Sequence, residues 1–439
     1  MINKGEHIAS FIKDYERLID ERLNADVPDW LKNVRSASLS RFADLGVPTV
    51  KNEEWKYTNI SDILKGRYKI AAEATLKEMD ELKAYMSADE IAMVFINGVF
   101  SSEHSQLHRL PKGVTICTLQ EAYAKHGQEL EKLIRKYAPS EASAFISLNN
   151  AFSNNGAYVA VAKNTLLKEL IHIVHVTSSS NGEMLSLPRT LIRLEPSAQA
   201  SVIESHVSFN DKISYFSNAL TDIFLADNAV LHYCKAQQES EKAYHIGNTR
   251  IWQERDSNLN GFSFMSGAAI TRNNLDVVLN GEGISTTLNG LYSTYGKMHA
   301  DNHTSVDHRF PNCTSNQLYK GILNESSRAV FNGKIFVKPI AQKTNSYQLN
   351  KNLLLGEGCR VDTKPQLEIF ADDVKCTHGA TIGQLNEDEL FYLRSRSIGK
   401  RDAMRMLSKG FVDALIDTVG NQEIERKLHI LLEPSFAKF

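Results

Sequence analysis

The chain has 439 residues, of which 42% are hydrophobic, so it can bury a sizeable core in two or three folded units. Its 50 lysines and arginines nearly balance its 52 aspartates and glutamates, for a formal charge of -2. This balance excludes the basic stripe of a nucleic-acid-binding protein, and no apolar run is long enough to span a membrane.

The amino-terminal stretch from Met1 to His7 lacks an apolar core followed by a cleavage site, which predicts a cytoplasmic protein. The five cysteines are odd in number, widely scattered and never spaced as C-x-x-C. That pattern argues against a disulfide framework or a structural zinc site and predicts reduced thiols. The cysteines are Cys117, Cys234, Cys313, Cys359 and Cys376.

The first ninety residues are predicted to form an amino-terminal helical region, residues 1–90. A second helix, around Trp30 to Val34, is expected to follow a first, amphipathic one. The first helix is indicated by apolar residues at helical spacing, namely Ile8, Phe11, Ile12, Tyr15, Ile19 and Leu23.

Residues 91–190 have a mixed pattern, which we assign to a connecting region. It contains a strand-like run at 92–96, a charged helix around Gln120 to Tyr137 and an apolar stretch at 158–161.

Residues 191–385 are predicted to be all β, because short apolar runs alternate with turn residues every eight to twelve positions. Loose repeats of this kind favour a β-solenoid, in which stacked coils bury one continuous core. A β-sandwich is the alternative. The repeats place an apolar residue before a polar or glycine-containing turn, as in 194–198, 225–229, 279–283, 323–327 and 355–359.

The carboxy-terminal residues 386–439 return to helical spacing. This region is too short to bury much core of its own, so its apolar stripes must pack on the β unit or on a partner. We expect the solenoid to fold without it. The stripes comprise Leu390 and Phe391, then Met404, Leu407, Phe411, Leu415 and Val419, then Ile424, Leu428 and Leu431.

Nucleotide-binding and hydrolase motifs are absent from the sequence. Gly290 to Met298 imitates a phosphate loop, but five residues separate its glycines and Met298 replaces the magnesium-binding Ser or Thr. Gly281-Glu282-Gly283 lacks the third glycine and the helix of a dinucleotide fingerprint. No G-x-S-x-G elbow occurs. The sequence therefore predicts a protein that is not an enzyme and does not bind ATP itself.

Residues 299–308 contain three histidines in a polar stretch, a composition found in metal sites. His299 and His303 lie in an extended context, where four residues span about 13 Å, so they cannot share one ion. Together with Asp307 and His308 they are better explained as hydrogen-bonded turn and coil residues. Cys313 has no context that would activate a thiolate and is interpreted as a small buried side chain.

Cys376 and His378 form the most specific candidate site. Two residues apart on a strand, they project from one face about 6.6 Å apart along the backbone. The alternative is a packed cysteine beside a hydrogen-bonded histidine. One thiolate and one imidazole cannot complete a four-ligand iron-sulfur site, so any further ligands must come from another chain.

The segment around this pair resembles the SufB/SufD family of iron-sulfur cluster assembly proteins. The similar residues are Pro365 to Ile369, Ala371 to Gly383 and Leu390 to Arg396, with upstream matches at His303, Thr304, His308, 315–322 and 341–345. Residues 52–59, Asn-Glu-Glu-Trp-Lys-Tyr-Thr-Asn, are similar to the amino-terminal motif of the SufD branch.

This resemblance implies a right-handed parallel β-helix between helical regions, a SufB partner and the ATPase SufC docked on the carboxy-terminal helices. It places Cys376 and His378 at the SufB interface, where they share iron or a cluster transiently with SufB, while ATP acts only through SufC. No stable cofactor is expected on this chain alone. The SufC-binding region implied by the resemblance contains Phe391, Tyr392, Arg394, Arg396, Met404, Leu407 and Phe411.

Several alternatives stay open at this point. The chain could be a SufB-like scaffold, although the cysteine and glutamate linked to cluster assembly on SufB find no match. It could be a β-helix carbohydrate-active enzyme that uses Asp301 and Asp307 as acid and base. When isolated it could form a homodimer. At Cys376 and His378 the sequence leaves open iron ligation, sulfur relay and a role in shaping the interface alone, and it contains no readable flavin motif or sulfur donor.

Overall fold

The structure, a computed structural model, describes residues 27–66, 68–70, 76, 78–108, 110–137, 143–153, 155–178 and 184–436. The amphipathic helix predicted from Ile8 to Leu23 lies outside these residues. The helices of the described part are α1 (Asp29–Leu45), α2 (Met79–Tyr85), α3 (Leu119–Lys136), α4 (Ala144–Phe152), α5 (Glu387–Ser395), α6 (Lys400–Ile416) and α7 (Gln422–Phe436).

The strands, in chain order, are β1 (Lys69–Ile70), β2 (Ile91–Ile96), β3 (Val99–Gln106), β4 (Val114–Thr118), β5 (Ala157–Val161), β6 (Leu166–Val176), β7 (Met184–Ser186), β8 (Arg189–Leu194), β9 (Gln199–Val207), β10 (Tyr215–Leu225), β11 (Val230–Glu239), β12 (Tyr244–Gln253), β13 (Asn258–Gly267), β14 (Ile270–Leu279), β15 (Ser285–Thr294), β16 (His299–His308), β17 (Thr314–Leu323), β18 (Arg328–Val337), β19 (Asn345–Leu354), β20 (Arg360–Ile369) and β21 (Lys375–Gly383).

Strands two apart in sequence pair in parallel, so the chain winds as a flattened β-helix with two stacked sheets. The first sheet has the order β20-β18-β16-β14-β12-β10-β8-β5-β4, and the second has the order β21-β19-β17-β15-β13-β11-β9-β6-β2-β3. The register repeats coil by coil: Ile270 pairs with His299, which pairs with Arg328. The predicted mainly β, parallel β-helix fold flanked by helices is confirmed, and the sandwich alternative is wrong.

The solenoid core follows from the alternation of side chains along each strand. Ile223, Ile251 and Val277 from the first sheet face Leu231 and Leu259 from the second, and all five are at most 1% exposed. Coils stacked in this way bury a continuous apolar column at the edge where the first sheet turns into the second.

The predicted repeats mark both edges: 194–198, 225–229 and 279–283 turn from the first sheet into the second, and 323–327 and 355–359 turn from the second into the first. Ser197, Asn228 and Glu325 each lie in the left-handed region at the turn, with φ of 59°, 59° and 60°, and Gly283 takes the same role at φ 70°. A short polar residue or glycine suits this conformation, because a β-branched side chain would be strained there. The sequence repeats are therefore the corners of successive coils.

Both sheets begin before residue 191, where the sequence places the start of the β-helix core. β5 pairs in parallel with β8, and β6 pairs in parallel with β9. The helix predicted around Gln120 to Tyr137 is α3, which starts with a capping box at Thr118 and Glu121.

The amino-terminal helices cover the outer face of the first sheet. Phe42 of α1 and Phe145 of α4 pack in one cluster with Phe216 of β10 and Ile246 of β12. Leu130 of α3 belongs to a neighbouring cluster that also contains Leu191, Phe224 and Trp252. These contacts attach the helical region to the solenoid.

The segment that precedes α2 is fixed to β16 by buried hydrogen bonds. The Thr58 hydroxyl donates to Asp301 Oδ2 at 2.5 Å and lies 2.8 Å from His299 Nε2. Arg272 Nη1 donates to the same Asp301 oxygen at 2.9 Å and to the Glu54 carbonyl oxygen at 2.6 Å. The 52–59 motif therefore anchors the amino-terminal region on the solenoid.

The carboxy-terminal helices cover the outer face of the second sheet. Leu415 of α6 and Leu428 of α7 pack against Phe264, Leu291 and Ile322 in one buried cluster. Three helices form this region, and Ser397 adopts a positive φ of 67° between α5 and α6. Among the described helices, none is long and apolar enough to cross a membrane.

Candidate functional site at the open end of the solenoid

The last coil leaves both sheets with an unpaired edge. Among the described strands, β20 pairs only with β18 and β21 pairs only with β19. The Lys375 amide donates to the Thr344 carbonyl oxygen at 2.8 Å, on the β19 side. Because backbone direction alternates along a strand, the amides and carbonyls of Cys376 and His378 point away from β19. We call the surface formed by β20 and β21 the open end.

The edge position of β20 explains a proline inside a strand. The Arg360 and Phe370 amides donate toward β18, to Ser327 and Val337 carbonyl oxygens at 3.1 and 2.9 Å. By alternation, residue 365 directs its backbone nitrogen outward. Pro365 has no N–H to donate, so it fits an edge strand and no interior strand.

Cys376 and His378 project from the same face of β21, as predicted. Cys376 lies in register with Ser346 and His378 with Gln348, both inward-facing and buried. Cys376 is half-buried against a small apolar cluster that includes Ile335, and this burial raises the pKa of its thiol. His378 is exposed. The isolated chain thus holds Cys376 as a thiol, which a metal or a neighbouring cation would have to deprotonate.

Buried polar side chains line the solenoid interior on the coils that precede Cys376 and His378. Gln348 is fully buried, and neither of its amide atoms has a hydrogen-bond partner within the described residues. One coil further in, Gln317 accepts from the Thr304 hydroxyl at 2.8 Å. The interior that reaches the open end is therefore polar, and its last buried amide, that of Gln348, lacks a partner among the described residues.

Exposed apolar side chains surround the open end. Ile340 and Phe370 are 64% and 60% exposed, and Tyr347 and Ile382 are also exposed. An apolar rim beside unpaired backbone groups is the surface chemistry of a protein interface.

Two ligands alone do not make a metal site. Within the described residues, no group of three His, Cys, Asp or Glu side chains has the geometry to hold a metal ion. Cys376 and His378 can contribute at most two of about four ligands to a cluster or ion.

The residues predicted for the carboxy-terminal docking region divide into two groups. Phe391 and Tyr392 of α5 are 74% and 57% exposed, and Arg394 and Arg396 are exposed beside them. The Arg396 guanidinium lies 5.3 Å from the Tyr392 ring centre. This exposed group is available to a partner.

The second group lies on α6 and is partly used within the chain. Met404, Leu407 and Phe411 are half-buried. Lys320 Nζ donates to the Phe411 carbonyl oxygen at 2.6 Å and lies 4.6 Å from its ring centre. These contacts attach α6 to β17.

Comparison with known proteins gives the family. Residues 6–173 match the SufBD protein N-terminal region, and residues 175–411 match the SufBD core domain of SUF system FeS cluster assembly. The chain belongs to the SufBD family. The resemblance predicted from the sequence is confirmed.

The SufBD relatives align along nearly the whole chain. An iron-sulfur cluster assembly SufBD family protein of Synechocystis sp. is 31% identical over 431 residues, covering 96% of this chain and 95% of that protein. The iron-sulfur cluster assembly protein SufD of Escherichia coli is 32% identical over 396 residues, covering 89% of each. The SufD of Bacillus subtilis is 26% identical over 427 residues, covering 92% and 94%. The SufBD chain is therefore SufD-like.

The geometry does not support the carbohydrate-active enzyme. Asp301 is 1% exposed and bound to Thr58 and Arg272, while His303 Nε2 lies 3.0 Å from its other oxygen. Although burial opposes ionisation, Arg272 and His303 lower the pKa of Asp301, so it cannot act as a proton donor near neutral pH. His299 and His303 lie on β16, so the expectation of turn and coil was wrong, whereas their hydrogen bonding is confirmed.

A buried ionisable cluster inside the SufBD solenoid was missed at the sequence level. Glu204 accepts from the hydroxyls of Thr190, Thr221 and Tyr233 at 2.8, 2.8 and 2.6 Å. The rings of His175 and His206 stack beside it, 5.0 Å apart. Burial, with the neighbouring imidazole, lowers the pKa of His175 to about 3.

The signal for this cluster was present in the strand pattern. Glu204 and His206 follow Val202, an inward position of the same strand, at steps of two residues. Charged residues at inward positions indicate a polar interior, but only once the parity of the strand is known.

Proposed function

We propose that this chain is the non-ATPase scaffold subunit of a SUF complex, binding a SufB-type paralogue through the open end. The observation that supports this most is that β20 and β21 each have a free edge and that β21 carries both Cys376 and His378. A partner strand laid along β21 would pair with their free backbone groups and bring its own side chains beside the thiol and the imidazole. The last coil is thus suited to continue into a second chain.

In this proposal the iron or the cluster is cargo shared across the interface. Cys376 and His378 supply up to two ligands, and the SufB-type partner supplies the remainder. A partner also completes the hydrogen bonding of the polar interior at Gln348. The chain itself performs no catalysis and holds no resident cofactor, and it aids the entry of iron into the shared site.

The ATPase SufC is proposed to dock on the exposed face of α5 and the half-buried residues of α6. Phe391 and Tyr392 offer apolar anchors, and Arg394 and Arg396 offer charge at the rim, a combination typical of interface hot spots. ATP therefore acts through SufC. The five cysteines are all free thiols, which supports work in the reducing cytoplasm.

Without a SufB-type partner, the same open end is proposed to pair with a second copy of this chain. That pairing uses the same backbone groups and apolar rim, so the two complexes compete.

The first test is Ala380→Pro in β21. Ala380 is exposed and directs its amide outward, by the same alternation that applies to Cys376. Proline removes a donor that the partner strand needs, and β20 already accommodates Pro365 at an outward position. We expect affinity for the SufB-type partner, measured by titration of the purified subunits, to fall at least about tenfold, the loss of one or two interface hydrogen bonds.

Ala380→Val is the matched control, since it keeps the amide and the strand propensity. Its affinity should stay near that of the wild type. Equal binding by the proline variant, with an unchanged melting temperature, would show that β21 is not the docking edge.

The second test is the double substitution Cys376→Ala with His378→Ala. Cys376 is half-buried and His378 is exposed, so the double substitution should lower the free energy of unfolding by no more than about 1–2 kcal/mol. We expect iron and sulfide bound per reconstituted complex to drop severalfold while subunit association persists.

Cys359→Ala is the control for the loss of a half-buried thiol away from β21. It should leave cluster content unchanged. Full cluster content in the double variant would reduce Cys376 and His378 to ordinary interface residues.

A further inference from the structure

A second polar site lies between the amino-terminal helices and the outer face of the first sheet. A cavity of about 410 Å³ is lined by α1, α3, α4, β8 and β12. No aspartate or glutamate is among its described lining residues. Its charged lining consists of Arg35, Arg41, Arg135, Arg189 and Arg250.

On the floor of this arginine cavity, two arginines share a single carboxylate, so one positive charge is left unbalanced. Asp222 of β10 lies between two buried arginines: Arg250 donates to both carboxylate oxygens at 2.6 and 2.8 Å, and Arg189 donates to one of them. One carboxylate thus faces two guanidinium groups. Arg189 and Arg250 are only 4% and 6% exposed, so water screens the surplus charge poorly.

One donor group on the floor is left over. Nη1 of Arg250 is buried and has no hydrogen-bond partner within the described residues. Arg250 itself lines the cavity. A buried guanidinium nitrogen without an acceptor costs free energy unless a ligand or solvent supplies one.

The remaining arginines complete a cationic enclosure. Arg35 of α1, 3% exposed, donates to the Ser153 carbonyl oxygen at 3.1 Å from the helical side. Arg41 and Arg135 are exposed at the rim, where Arg135 also pairs with Glu131 at 2.9 Å. The Ser147 side chain of α4 adds a small polar group to the lining.

We propose that the arginine cavity binds a doubly charged oxyanion, namely phosphate or the phosphate group of a small ester. Guanidinium forks match phosphate oxygens in geometry, and a dianion neutralises the surplus that Asp222 leaves. The volume accommodates a phosphate together with a small organic group. This site uses none of the residues of the open end, so it stands independently of the proposed function.

Calorimetric titration of the full chain with inorganic phosphate, in a phosphate-free buffer of low ionic strength, tests the proposal. Saturable one-to-one binding is expected, weakened by added salt because part of the attraction is screened. Pyrophosphate should compete for the same site, and acetate, with a single charge, should not. Heats that never saturate for either phosphate probe would overturn the proposal.

Arg250→Gln removes the leftover donor while leaving Asp222 paired one-to-one with Arg189. We expect phosphate affinity to fall at least about tenfold, as for the loss of a buried charge-assisted hydrogen bond together with its charge. Arg41→Gln, at the exposed rim, should weaken binding about threefold with no loss of folding, and it decides the matter if the first variant is unstable.

Arg255→Gln is the matched control, because this exposed arginine lies just after β12 and outside the cavity. Its phosphate affinity should equal that of the wild type. Equal affinity in the wild type, Arg250→Gln and Arg41→Gln would place any bound phosphate elsewhere and refute the assignment.

Discussion

Replacing Asp222 with asparagine should lower the free energy of unfolding by about 3–5 kcal/mol, the cost of removing one partner from a buried ion pair. Asp222 is 1% exposed, and its two oxygens accept from Arg189 and Arg250. Asparagine removes the charge and keeps the shape, so two buried guanidinium groups would face each other without a counter-ion. Denaturant unfolding followed by circular dichroism measures the effect.

Asp227→Asn is the control on the turn that follows the same strand. Its side chain is about half exposed and lies 3.9 Å from Arg255, which makes at most a weak, solvent-screened ion pair. The free energy of unfolding should therefore change by no more than about 0.5 kcal/mol. Adding Arg250→Gln to Asp222→Asn should recover part of the loss, since one unbalanced charge disappears. A similar small effect for Asp222 and Asp227 would show that the buried ion pairs do not stabilise this face.

Leu428→Asp in α7 should be at least as damaging, with a loss of about 4 kcal/mol or more. Leu428 is fully buried between α7 and the second sheet, so aspartate loses the packing of leucine and places a carboxylate in an apolar cluster. The soluble yield and the denaturation midpoint should both fall sharply.

Ile430→Asp provides the comparison on the same helix, two residues away. Ile430 is 53% exposed, so the same chemical change there should be nearly neutral. If both variants unfolded at the same denaturant concentration, the carboxy-terminal helices would not be an integral part of the fold.

This packing changes an expectation drawn from the sequence. The solenoid was expected to fold without the residues from 386 onward, but α6 and α7 bury Phe262, Phe264, Leu291 and Ile322 of the second sheet. Their removal would expose a continuous apolar face. The spacing of Leu415, Val419 and Leu428 correctly indicated a buried stripe, but spacing does not reveal what covers it.

The solenoid and its open end were within reach of sequence reasoning for a physical reason. Turn residues such as Ser197 and Asn228 recur because each coil needs a left-handed corner, and a two-residue spacing puts Cys376 and His378 on one face whatever the strand pairs with. These features depend only on local geometry.

The arginine cavity and the Glu204 cluster depend instead on which elements meet. Arg189 and Arg250 come from strands far apart in sequence and become neighbours through the register of the first sheet, and Arg35 reaches them from α1. Glu204 could be recognised as inward-facing only after the parity of β9 was fixed. Local sequence patterns carry no information on contacts between elements that are distant in sequence.

The two ends of the solenoid differ in a way that limits assembly size. At the carboxy-terminal end both sheets stop at parallel strands with free edges, whereas at the other end β3 and β4 run antiparallel to their neighbours β2 and β5. Among the described strands, parallel coil-on-coil continuation is therefore available at one end only. Two chains joined through their open ends use the parallel edges of β20 and β21 in both copies, so this mode of pairing closes at two chains.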